Sequence, residues 1–156
     1  MKLRSFGVCR SKRMNLIDDI KARLMKYPDV RYESNASSIT VFPHSPDGFA
    51  VTLVVNHGNV YTISFEGWHE DFEGEEEALN VFALGLSDEC RLKEYRRGNF
   101  AHKWTVEYLD DEGQWKEEST TGLLLFPFWK RSTVRYLQNN LLHRETIVPT
   151  VDSHSQ

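Results

Sequence analysis

His102 is the side chain best placed to do chemistry. It lies in the run Phe100-Ala101-His102-Lys103-Trp104-Thr105-Val106-Glu107-Tyr108, whose alternation sets Phe100, His102, Trp104, Val106 and Tyr108 on one strand face. A histidine on an apolar face has two uses. It can be a neutral core residue bonded to Tyr61, Tyr95 or Tyr108, which is the expectation, or a pocket group that moves protons near neutral pH. In the pocket reading Trp104 forms an apolar wall and Glu66 or Glu70 orients the imidazole. His102, Trp104 and Tyr108 are therefore the candidate ligand-binding residues.

The segment Trp68-His69-Glu70-Asp71-Phe72-Glu73 raises the question of a metal. It lacks the second histidine of the zinc-protease helix, and it lacks the alternating Asp/Asn loop with a closing glutamate that holds calcium. A solvated acidic stretch accounts for it, and no metal or cofactor is expected. Nucleophile elbows, phosphate loops and dinucleotide fingerprints are absent from the sequence. Cys9 and Cys90 are too few for a disulfide framework, and Cys90 shares a strand face with Leu92, so it reads as a buried, free thiol.

Residues 122–129, Gly-Leu-Leu-Leu-Phe-Pro-Phe-Trp, form the longest apolar run. Residues 123–126 suit a doubly buried strand, although Pro127 belongs at a strand end or edge. Core packing is the expectation. If Phe128 and Trp129 instead emerge beyond Pro127, they make an aromatic patch beside Lys130 and Arg131 of the kind found at protein interfaces.

Two helices and a set of strands must position these residues. Residues 11–27 place Leu16, Ile17, Ile20, Leu24 and Met25 at helical spacing, and Pro28 ends the pattern. Residues 38–42 read as a first strand, stopped by Pro43-His44-Ser45-Pro46-Asp47-Gly48. Residues 49–55 and 60–65 form a hairpin around Asn56-His57-Gly58-Asn59. Residues 70–86 return to helical spacing, with six acids among residues 70–77 at the positive end of the helix dipole. Strands follow at 90–97, 100–109, 114–119, 123–126 and 133–138, joined by short polar turns.

The order implies an α+β domain over residues 1–147, with one curved, mainly antiparallel sheet of about six to eight strands packed against two helices. A curved sheet of this kind leaves room for a pocket at its open end. Residues 148–156 have no apolar pattern and read as a disordered tail.

At 156 residues, with 40 % hydrophobic and 27 % charged side chains, the chain has the composition of a soluble domain. No apolar run approaches the ~20 residues of a membrane span. The small net charge of −4 conceals a strong segregation. Between Tyr32 and Cys90 there is no Lys or Arg, while Glu33, Asp47, Glu66, Glu70, Asp71, Glu73, Glu75, Glu76, Glu77, Asp88 and Glu89 give that stretch −11. Residues 1–31 are basic, yet the adjoining carboxylates would repel nucleic acid. The first thirteen residues carry five cations without the apolar core of a secretory signal, so the cytoplasm is the expected location.

These readings converge on a cytoplasmic, non-catalytic binding module for a partner protein, a second copy of itself or a small apolar ligand. Neither nucleic acid nor membrane is expected as a partner. The alternative is a small enzyme with a pocket lined by His102 and Trp104.

Overall fold

The computed structural model describes residues 15–142. The basic N-terminal arm and the expected C-terminal tail lie outside the described residues. Two helices and nine strands follow the order α1 (Leu16–Leu24), β1 (Tyr32–Ser34), β2 (Ser38–Val41), β3 (Val51–Val55), β4 (Tyr61–Phe65), β5 (Trp68–Phe72), α2 (Glu75–Leu86), β6 (Cys90–Arg97), β7 (Phe100–Leu109), β8 (Trp115–Gly122) and β9 (Ser132–Gln138). The class is α+β, as expected, with antiparallel strands and two helices. The strands are shared between two sheets, one ordered β1-β2-β3-β4-β5 and the other β8-β7-β6-β9.

The first sheet is a meander because each connection is short. Gly58 (φ 73°) and Asn59 (φ 59°) turn the β3–β4 hairpin in the left-handed region that glycine and asparagine tolerate. Alternation buries Ile39, Val41, Val51, Leu53, Ile63 and Phe65 on one face. α2 crosses that face and adds Phe82 and Leu86, β6 adds Cys90 and Leu92, and the Ile17, Ile20 and Leu24 side of α1 completes the same cluster. Asn15 caps α1 by accepting from the Ile17 amide.

Three expectations are corrected. Residues 70–72 are strand, not helix, and α2 begins only at Glu75. Trp68 and Phe72 are four apart, a spacing that serves one helix face and one strand face alike, and the tight β4–β5 turn with Glu66 at φ 51° decides for the strand. Residues 32–34 form an additional strand, β1, in register with β2. Residues 123–126 are not a strand; they begin an exposed connection from β8 to β9.

Side chains join the two sheets along β5 and β8. The Trp68 indole donates to Ser119 Oγ at 2.8 Å, and Ser119 Oγ donates to Glu70 at 3.0 Å. At the far side of the core the buried Asn139 side chain accepts from the Phe49 amide (3.1 Å) and donates to the carbonyls of Phe49 (2.9 Å) and Gly85 (2.8 Å). One amide group thus satisfies the approach to β3 and the last turn of α2.

Candidate functional site

The three sequence candidates on β7 occupy three different surroundings. Trp104 is buried, with its indole N–H donating to Glu94 Oε2 at 3.1 Å while Arg96 donates to the other carboxylate oxygen at 2.6 Å. Its ring covers Gly67, where an added Cβ would overlap it. Trp104 is therefore occupied in packing the two sheets together, and the glycine is required by its close approach.

Tyr108 lines a cleft of about 330 Å³ between α2, β5, β7 and β8. Trp68, Phe72, Val81 and Leu84 supply its apolar wall, and Glu70, Glu77 and Glu118 its acidic mouth. Glu118 reaches the mouth because the β7–β8 register shifts between Val106 and Glu107, leaving Glu118 with no residue opposite it on β7. Neither His102 nor Trp104 lines this cleft.

His102 stands at the other end of β7. The β6–β7 register passes from the Tyr95–Lys103 pair to the Arg96–Ala101 pair, so His102 is the extra residue of a bulge. Its ring stacks on Phe126, with centroids 4.1 Å apart and an interplanar angle of 15°. Its Nε2 is buried and makes no hydrogen bond, so neither the expected tyrosine partner nor a carboxylate meets that atom. Burial first, then the charges of Arg97 and Lys103, hold the imidazole below its ordinary pKa.

No family model, curated protein or solved structure is found to be similar to this chain. The site must therefore be judged on its own geometry.

What His102 supports is the segment 123–131, which crosses the end of the second sheet from β8 to β9. The Leu123 amide donates to the His102 carbonyl at 2.7 Å, Arg97 donates to the Lys130 carbonyl at 3.2 Å, and the Gly98 amide donates to the Arg131 carbonyl at 3.1 Å. Within the segment, the Phe128 amide meets the Phe126 carbonyl and the Lys130 amide meets the Pro127 carbonyl. Phe126 is the inward-facing member, held by His102. Leu124 is 97 % exposed, Leu125 87 %, and Phe128 and Trp129 72 % each. The expected core packing of this run is thus reversed, and Phe128 and Trp129 do emerge beyond Pro127, in edge contact at 5.3 Å.

The physical reason is that no described element of the core packs over this run. The core cluster that links α2 to the first sheet reaches the second through β6, β7 and Leu137 of β9 and includes nothing from residues 123–131. An apolar segment is buried only if another element covers it. The composition of residues 123–129 carried the signal of unusual apolarity; only the topology shows that it faces outward.

Two other sequence candidates are the segment of residues 68–73 and Cys90. No group of three or more His, Cys, Asp or Glu side chains among the described residues is arranged to hold a metal ion. The buried Cys90 thiol is pushed up to about 12 by burial, so it carries no thiolate near neutral pH. Sequence reasoning did not find the outer face of the second sheet. There Arg91 lies between the Trp115 ring at 4.3 Å and the Tyr136 ring at 4.5 Å, and it pairs with Glu107. Arg91, Trp115 and Tyr136 come together only through the strand order β8-β7-β6-β9, which no local pattern announces.

Proposed function

We propose that this chain is a non-catalytic interaction module whose working surface is the loop of residues 123–129. The observation that carries the reading is the outward display of Leu124, Leu125, Phe128 and Trp129 on a loop tied to the sheet beneath it. Exposed apolar side chains in a continuous group are costly in water unless they meet something. The hydrogen bonds that tie the loop down add to the argument, because a surface already held in place loses less conformational freedom when it binds. The enzyme reading is weaker, since it needs an accessible His102 oriented by a carboxylate, and Nε2 is buried with no protein group bonded to it. A cytoplasmic site of action belongs to the same reading, supported by a sequence with too few cysteines for a disulfide framework.

The test is fractionation of a tagged chain in a lysate of its source cell. The wild type should run well above its 18.2 kDa mass or pellet, while a Leu124→Ser, Leu125→Ser, Trp129→Ser variant with an unchanged melting temperature should run as free monomer. Identical, monomeric behaviour of both chains would end the proposal.

The cleft beside Tyr108 favours a second reading, a small ligand site. Its apolar wall and volume of about 330 Å³ fall at the lower end for small-molecule pockets. Native mass spectrometry of gently purified protein is the test, with a retained small molecule lost on Tyr108→Ala as the expected result.

A further inference from the structure

Resting on the reading of residues 123–129 as the working surface, we propose that its partner is an anionic membrane surface: Leu124, Leu125, Phe128 and Trp129 enter the bilayer interface while the exposed Lys130 and Arg131 face the headgroups. The sequence expectation of no membrane partner rested on the length needed to span a bilayer. A loop that lies in the interface needs only a few side chains to reach the acyl boundary, roughly 5–10 Å down.

The chemistry of the loop decides between a bilayer and a protein. Residues 123–129 contain seven apolar residues in succession, and the Trp129 indole N–H is the only hydrogen-bonding side-chain group among them. Protein interfaces carry about one hydrogen bond per 100–200 Å². A hydrocarbon boundary asks for no directional partner, and tryptophan and phenylalanine are the aromatic residues suited to its edge. Shallow insertion also leaves the loop's backbone groups in reach of water and headgroups, which deeper insertion of an irregular segment would not allow.

Charge selects the lipid. The end of the second sheet that carries the loop, up to the level where Tyr95 meets Lys103 and Val134, is built from residues 95–103 and 122–134, which hold Arg96, Arg97, Lys103, Lys130 and Arg131 and no Asp or Glu; Glu94 lies one level further in, opposite Trp104. Arg96 is paired with Glu94, and among the described residues the other four make no ion pair. The opposite end of the same sheet carries Asp88, Glu89, Asp110, Asp111 and Glu112. Such a sheet end is drawn toward a negative surface and orients the apolar tip toward it. The His102–Phe126 stack and the Arg97 and Gly98 hydrogen bonds keep the tip from folding back on the sheet.

Co-sedimentation of the full chain with vesicles tests this. The chain should pellet with phosphatidylcholine–phosphatidylserine vesicles and at least tenfold less with phosphatidylcholine alone. Leu124→Ser with Leu125→Ser, and separately Lys130→Glu with Arg131→Glu, should each weaken that binding at least tenfold without changing the melting temperature, because all four side chains are exposed. Failure to pellet with the mixed vesicles, or undiminished binding by the leucine variant, would overturn the proposal. Equal binding to both vesicle types, or no effect of the charge reversal, would overturn the headgroup contact. If vesicle binding fails while the heavy species in the lysate persists in mild detergent and is lost with the leucine variant, the lipid assignment falls and the interaction module stands with a protein partner.

Discussion

His102 and Phe126 lie ring on ring, 4.1 Å between centroids, and through that contact a β-bulge on β7 holds up the loop that follows β8. The imidazole thereby anchors that loop. Its cost is an unbonded, buried Nε2 and a pKa held below the ordinary value by burial and by the Arg97 and Lys103 charges.

That lowered pKa fixes a direction for stability against pH. The unfolded chain takes up the His102 proton before the folded chain does, so the His102 contribution is full above its ordinary pKa of about 6.5 and is lost as pH falls below it. Replacing His102 with Phe keeps an aromatic ring against Phe126 and removes the proton. Between about pH 7.5 and about pH 5.5 the melting temperature of wild type should fall relative to that of His102→Phe. Parallel curves would show that the histidine does not titrate in this way.

Asn139 should be among the least tolerant polar positions. Asn139→Ala leaves the buried Phe49 amide and carbonyl and the Gly85 carbonyl without this partner. The expected loss is about 3 kcal/mol, read as a lower urea midpoint with an unchanged slope. Asn139→Asp should be no better, since a carboxylate can accept from Phe49 but cannot donate to the two carbonyls.

Gly85 is a helical glycine that alanine cannot replace. A Cβ there would overlap the Phe65 ring and approach Val51 Cγ2 at 3.2 Å. The ~1 kcal/mol that alanine gains in helix propensity is outweighed by overpacking of about 1–3 kcal/mol. Gly85→Ala should therefore melt at a lower temperature than wild type, whereas Gly74→Ala, where the nearest atom is 4.0 Å away, should not suffer the same clash.

Cys90 should be silent until the chain unfolds. In a Cys9→Ser background, a maleimide at about pH 8 should leave the native thiol unmodified, because burial both blocks access and raises its pKa to about 12. Denaturant should bring labelling to completion. Rapid labelling of the native chain would place the thiol at the surface.

The sequence was most informative where structure is local. The β3–β4 hairpin announces itself through Asn56-His57-Gly58-Asn59, and β6 and β7 through their alternation across Gly98-Asn99. β1 escaped notice because Tyr32-Glu33-Ser34 has one apolar residue and exists by pairing with β2. The helix α2 starts later than expected because Phe72, at helical spacing with Leu79, Phe82 and Leu86, and the acids Glu70 and Asp71, suited to a first helical turn, belong to β5. The loop was the larger miss. Apolar residues 123–129 report a tendency to leave water, and whether they find cover depends on elements far away in the chain. The same holds for the candidate site: His102 stands out in the sequence as a histidine on an apolar strand face, but its relation to Phe126 spans a strand order that alternation cannot supply.

Asn139 also has a consequence for a chain still emerging from the ribosome. The first sheet and α2 are complete by Leu86, yet the amide group that satisfies Phe49 and Gly85 arrives more than fifty residues later, directly after β9. Until that residue is synthesised, those peptide groups must keep water as their partner. The interior around Phe49 and Gly85 is therefore closed to water only once residue 139 is in place, after every described strand has been made.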